Sequence, residues 1–203
     1  MNDTLEYVKK SLPSKVQTIG IGLLIFGIAL GLISYFVDIE RAMYNYLLAF
    51  SFFTSITVGA LFLFALEYLV GAIWSVPIRR VVEFIASGVV LLIILAIPLV
   101  LNMGNIFEWT HTEFMNSDKL LSGKAPYLNQ SFFIIRIVIY CALWPLFYFI
   151  LSRNSKKQDF NKDPKLTKKN TITSAIFMPV FAFTTTIFAI DWIMSIVPHW
   201  YST

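Results

Sequence analysis

The sequence predicts an all-α, polytopic transmembrane bundle of five helices, and three observations predict it. Hydrophobic residues make up 57% of the 203 positions and charged residues 14%, with a mean hydropathy of +0.71; a soluble domain carries roughly 25% charged residues. Five runs are long and apolar enough to cross about 30 Å of hydrocarbon as helices. None of them shows the period-two alternation of a membrane β-strand.

The runs lie at about 16–37, 42–67, 83–102, 131–151 and 171–197, within a single transmembrane domain spanning 1–203. The first follows Lys9, Lys10 and Lys15, contains no charge and lacks a small-residue cleavage site, which predicts a retained helix. Gly27 and Gly31, with Gly20 a heptad earlier, put small residues on one stripe of that helix. Ser51, Ser55 and Gly59 do so in the second. Small residues let membrane helices approach closely, so both stripes predict packing faces. Pro98 and Pro145 predict kinks in the third and fourth helices.

Loop charges predict the orientation. Twelve Lys and Arg fall in the N-terminal tail, at Arg79 and Arg80, and in 153–169; three, Arg41, Lys119 and Lys124, fall on the opposite side. The excess belongs in the cytoplasm, which places the N-terminus there and 200–203 outside. The segment 153–170 reads as a hydrophilic connector facing water and anionic lipid. Basic residues dispersed over separate loops give the formal charge of +4 no nucleic-acid character.

An intramembrane charge costs about 2.5–3.5 kcal/mol on insertion scales and so tends to face protein. Arg136 sits five residues into the fourth run, and Arg136, Tyr140 and Trp144 recur at i, i+4 and i+8. That stripe favours the bundle interior over snorkelling. Asp191 ends the charge-free stretch 171–190 at a similar depth. It reads either as an interfacial acid or as the partner of Arg136. Glu67 ends the second helix, where a carboxylate near an aqueous face loads protons. Glu83 opens the third helix and suits capping, with Arg79 or Arg80 as partner.

His111 and His199 fall in loops or helix ends, so no helix carries a mid-membrane His pair and no haem ligand set is expected from this chain. Glu108, His111 and Glu113 form a loose acidic-histidine cluster that reads as a partly exposed, merely polar stretch of loop; no metal is expected. The lone Cys141 reads as a small buried hydrophobe and excludes an internal disulfide or a cysteine-held iron–sulfur cluster. No complete catalytic constellation is present.

Two segments carry a family resemblance. One is Phe107-Glu108-Trp109-Thr110-His111 with Lys124-Ala125-Pro126-Tyr127-Leu128-Asn129 and Phe132-Phe133-Ile134-Ile135-Arg136. The other is Asp191-Trp192-Ile193-Met194-Ser195 with Pro198-His199-Trp200-Tyr201-Ser202-Thr203. Together they resemble the second quinone-binding membrane subunit of bacterial alternative complex III, a quinol:cytochrome c oxidoreductase, within the NrfD/polysulfide-reductase membrane-subunit superfamily.

The resemblance implies a multi-pass subunit of the bacterial inner membrane that supports quinone binding, proton transfer or both, with quinone or menaquinone as ligand. It implies partners that hold the haem and iron–sulfur centres: a multihaem cytochrome c, an iron–sulfur subunit and a paralogous membrane subunit. On the residue-level match Arg136, Asp191 and His199 lead the quinone or proton-path candidates, followed by Glu67, His111 and Tyr140. Glu67-Tyr68 depart from the family pattern, so the resemblance passes no role to Glu67. Family members have about ten helices, so the five here correspond to an N-terminal half, one peripheral helix plus a first four-helix bundle. Two readings from other classes stand beside this one: a small secondary transporter or channel subunit, and a structural membrane scaffold.

Overall fold

In the computed structural model, residues 13–72, 75–116, 119–161 and 163–199 are described. Lys9, Lys10 and the 200–203 end of the second motif lie outside the described residues. Among those described there are helices and turns but no strand, and five helical stretches are long and apolar enough to cross a membrane. The chain divides into two compact units, residues 1–42 and 43–203.

The first unit contains α1 (Ser14–Val37) and the start of α2 (Ile39–Val70). Asp38 adopts an extended conformation that ends α1, and its carboxylate accepts the Arg41 N–H at 3.0 Å, capping α2. No described residue of α1 is buried, and a Cβ at Gly20, Gly27 or Gly31 would meet nothing within 4 Å.

The second unit is a four-helix bundle. After α2 come α3 (Arg79–Ala86), a 3-10 segment (Ser87–Leu91) and α4 (Leu92–Leu101), which act as one membrane crossing. Short turns and the helices α5 (Thr112–Asn116) and α6 (Lys119–Lys124) lead to α7 (Gln130–Gln158), then α8 (Pro164–Trp192).

Side-chain pairings give the topology. Along α2, Tyr44 donates to the Ile106 carbonyl, Tyr46 to that of Leu95, and Glu67 meets Arg79, so α2 and the third crossing are antiparallel. Phe50 packs on Trp192, Phe62 stacks on Phe181, and Thr171 donates to the Tyr68 carbonyl, so α2 and α8 are antiparallel too. α7 pairs with α8 at Arg136–Asp191, Trp144–Thr184 and Asn154–Asn170. It meets the third crossing at Phe133–Phe107 and Ser152–Glu83. Each helix thus runs against both of its neighbours, as in an up-down bundle. Phe64, Phe107, Phe133, Trp144, Phe177 and Trp192 are fully buried between them.

The segment 153–170 is not a loop. α7 continues through Gln158 and α8 begins at Pro164, leaving only a tight connection. Asp163 caps α8 by accepting the Lys165 N–H at 2.9 Å, and Pro164 occupies the first turn. Lysine and glutamine are good helix formers, so polarity marks where the membrane ends rather than where the helix ends. Pro98 and Pro145 both lie inside continuing helices, as does Pro179.

The close approach falls at a glycine outside the predicted stripes. A Cβ on Gly88, in the 3-10 segment, would collide with the Thr57 methyl and press on the Phe53 ring of α2. Gly59, by contrast, has open space. Gly88→Ala should destabilise the protein by about 1–3 kcal/mol through overpacking, whereas Gly59→Ala should be neutral or slightly stabilising. Denaturation in mixed micelles measures both, and equal effects would refute the assignment of Gly88 as the tight crossing.

Candidate functional site

A helix that must bury a guanidinium needs a carboxylate at the same depth and acceptors for the remaining N–H groups. Arg136 lies six residues beyond the start of α7, about 9 Å along its axis. Asp191 lies in the last turn of α8. Antiparallel pairing of the two helices brings them to one level. Arg136 is 5% exposed and Asp191 0%.

The Arg136 Nε donates to Asp191 Oδ1 at 3.0 Å and to Oδ2 at 2.9 Å. Its Nη2 sits 2.8 Å from Oδ1, close enough for ion pairing but without hydrogen-bond alignment. Nη1 donates to the Tyr127 carbonyl at 3.0 Å, and the Tyr127 hydroxyl donates to Asp191 Oδ1 at 3.0 Å. The guanidinium carbon stands 3.9 Å from the centre of the Tyr127 ring and 4.4 Å from that of Phe132. The cation thereby meets aromatic density from two rings. Asn129 holds this corner in place by capping α7, accepting the Phe132 N–H at 2.9 Å, while its own amide donates to the Pro126 carbonyl at 3.0 Å.

Tyr127 lies between the membrane-spanning helices. Burial, reinforced by the Asp191 carboxylate, pushes its phenol up to about 12. The hydroxyl therefore stays a donor to Asp191 through the physiological range. Its contribution is fully present below the ordinary tyrosine value of about 10 and is lost as pH rises through about 12.

One turn deeper, Trp192 donates its indole N–H to the Tyr140 hydroxyl. Tyr140 stacks on Trp144 at 5.2 Å, and Trp144 donates to Thr184 Oγ1 at 2.9 Å. The expected stripe Arg136, Tyr140, Trp144 is buried throughout and continues as Tyr148, Ser152 and Ser155. Trp144 and Phe188 also line a cleft of about 230 Å³ with Thr54, Ser55, Gly59 and Thr185. The small stripe of α2 thus opens onto a cleft instead of a helix contact.

The other candidates lie elsewhere. The His111 Nε2 donates to the Gly104 carbonyl at 3.0 Å, and His111 lines an open basin of about 610 Å³ with Glu108, Glu113 and Phe114. Among the described residues no three His, Cys, Asp or Glu converge as metal ligands do. His199 sits edge-on to Phe114 at 6.1 Å.

Glu67 is at the far end of the bundle, where its carboxylate takes the Arg79 Nε at 2.9 Å. Beside it Glu83, expected to cap its helix and pair with Arg79 or Arg80, is a buried acid at 3% exposure. It pairs with Arg80 and accepts from Ser152 at 2.5 Å and Ser155 at 3.3 Å. Ser152 and Arg136 are 16 residues apart on α7, about 24 Å along the axis. The bundle therefore carries one buried acid–base cluster at each end.

Sequence reasoning missed Tyr127 as a participant and Glu83 as a buried centre. Tyr127 lies in an irregular segment with no periodicity to report its direction. For Glu83 a signal existed, because α7 presents Ser152 and Ser155 on the stripe that starts at Arg136.

No protein-family model matches the chain, and no curated protein matches it.

Protonating Asp191 would leave Arg136 a lone buried cation, so the two charges act as a unit. Asp191→Asn should cost about 3–5 kcal/mol of stability, and a paired Arg136→Met/Asp191→Leu replacement should recover most of that. Tyr127→Phe should cost only about 1 kcal/mol. Chemical denaturation of the three variants in one detergent checks the ranking, and a double variant as unstable as Asp191→Asn would contradict it.

Proposed function

We propose that this chain is a membrane subunit of a respiratory quinol:cytochrome c oxidoreductase of the alternative complex III type, supporting quinone binding, proton transfer or both. The observation that carries the reading is convergence. Tyr127 and Arg136 from the first resemblance segment meet Asp191 from the second in one buried cluster, 55 residues apart in sequence from Arg136 to Asp191.

The chemistry of the 230 Å³ cleft gives partial support for a quinol. Its hydroxyls donate to their own helices, Thr54 to the Phe50 carbonyl, Ser55 to Ser51 and Thr185 to Phe181. They keep only acceptor capacity, which suits a donating quinol hydroxyl better than a quinone carbonyl, and the apolar walls suit an isoprenoid tail. The redox chemistry would be the quinone's, with haem and iron–sulfur centres on partner subunits. This chain's own part is to hold the Arg136–Asp191 charges away from water. In this reading the N-terminus is cytoplasmic and the membrane is the bacterial inner membrane, since the basic loops gather at the end that holds Glu67 and Glu83.

In the intact complex, Arg136→Gln and Asp191→Asn should each lower quinol-dependent cytochrome c reduction at least tenfold while the multihaem and iron–sulfur partners still co-purify. Wild-type rates in both variants would end the reading. A chain that purifies alone and moves solute across vesicle membranes would replace it with the transporter reading.

A further inference from the structure

The tip of the α7–α8 hairpin presents more cations than it pairs. Arg153, Lys156, Lys157, Lys165, Lys168 and Lys169 are all exposed. The nearby acids are already engaged. Asp159 holds the Arg80 Nη2 at 2.5 Å, Asp163 caps α8, and Glu83 is taken by Arg80, Ser152 and Ser155. Lys156 comes only to 4.0 Å from Glu83, and the other five cations form no ion pair among the described residues.

The helical form of this segment decides where the charges stand. Counting about 1.5 Å per residue from Leu151 on α7 and from Ile172 on α8, where the long apolar runs end, all six cations fall within about 10 Å of those two residues. The headgroup layer occupies about 5–8 Å beyond the hydrocarbon on each side. Side chains of Lys and Arg therefore reach phosphates directly from this backbone.

The backbone is also fixed before any ligand arrives. The Tyr68 hydroxyl donates to Gln158 at 3.2 Å, Gln158 to Thr167 at 2.5 Å, Asn154 to Asn170 at 2.9 Å, and Asn170 to the Leu151 carbonyl at 3.1 Å. A held scaffold loses less freedom on binding than a free loop.

We propose that this hairpin tip is a binding site for the phosphate headgroups of anionic phospholipids. It is independent of the quinol reading. Five of the six cations are lysines, point charges without the planar fork that selects headgroup shape, so the site selects by charge. It distinguishes phosphatidylglycerol from phosphatidylcholine, and salt weakens it.

The test reconstitutes the full chain in vesicles and measures the association of spin-labelled phosphatidylglycerol relative to spin-labelled phosphatidylcholine. The wild type should prefer phosphatidylglycerol. Each cation neutralised among Lys165→Gln, Lys168→Gln and Lys169→Gln should lower that preference by up to about fivefold at low salt. The triple Lys→Arg variant should retain it, which separates charge from folding. Lys119→Gln, at the other end of the bundle, should change nothing.

Equal association of the two lipids with the wild type, or an unchanged preference in the triple Gln variant, overturns the proposal. Inorganic phosphate alone, added at matched ionic strength, separates the two sources of phosphate. Loss of the preference in that arm would reassign the tip to a soluble anion.

Discussion

The buried pair of Arg136 and Asp191 is the constraint around which the second unit is arranged. Removing both charges from water costs several kcal/mol per ion before any attraction is counted. That cost is offset only if the carboxylate sits within hydrogen-bond reach and the remaining guanidinium protons find acceptors. α7 and α8 supply the first by running antiparallel in a register that puts residues 136 and 191 at one level. The same register places Trp144 against Thr184 and Asn154 against Asn170. A slip of one residue would turn each of these polar contacts away from its partner, so the charges and the register specify one another.

At the opposite end the same physics is met with different parts. Arg80 joins Glu83, Ser155 and Asp159, tying the start of α3 to the end of α7. Arg79 holds Glu67 while its guanidinium lies 4.7 Å from the Tyr68 ring. Here the arginines are partly exposed while Glu67 and Glu83 are buried, whereas Arg136 is buried along with its acid. The difference follows depth. Near the boundary a long cationic stem can reach water, while nine ångströms into a helix it needs a protein partner.

Hydropathy alone located all five crossings, because about 20 apolar residues without a charge have few alternatives to a membrane helix. It also placed Arg136 and Asp191 at a common depth, which left their pairing as one of two readings until the structure brought them into contact. What composition does not encode is where a helix stops once it has left the hydrocarbon. The lysines and glutamines of 153–170 are compatible with both loop and helix, and Asp163-Pro164, a capping signature, was the one local cue that the helices run on. Small-residue spacing was misleading for a related reason. Ser55 and Gly59 permit a close contact, but only a partner's surface makes one, and the glycine that is used, Gly88, stands alone in the sequence. Tyr127 was illegible as a site residue because its position depends on how an irregular segment folds back over the end of the bundle.

The interior between the two clusters bears on what the pair does within the proposed complex. Thr54, Ser55, Thr57, Thr184 and Thr185 each donate to a carbonyl three or four residues back on their own helix. Trp144 and Trp192 spend their single donors on Thr184 and Tyr140. A proton passing from Glu83 to Asp191 would have to cross about 24 Å in which these donors are already committed. Ser174 is the one fully buried hydroxyl in that stretch without a hydrogen-bond partner among the described residues. A continuous wire needs donors that hand on their protons in sequence, and hydroxyls locked to their own backbone do not. The arrangement favours charge work confined to each end of the bundle over conduction through its middle.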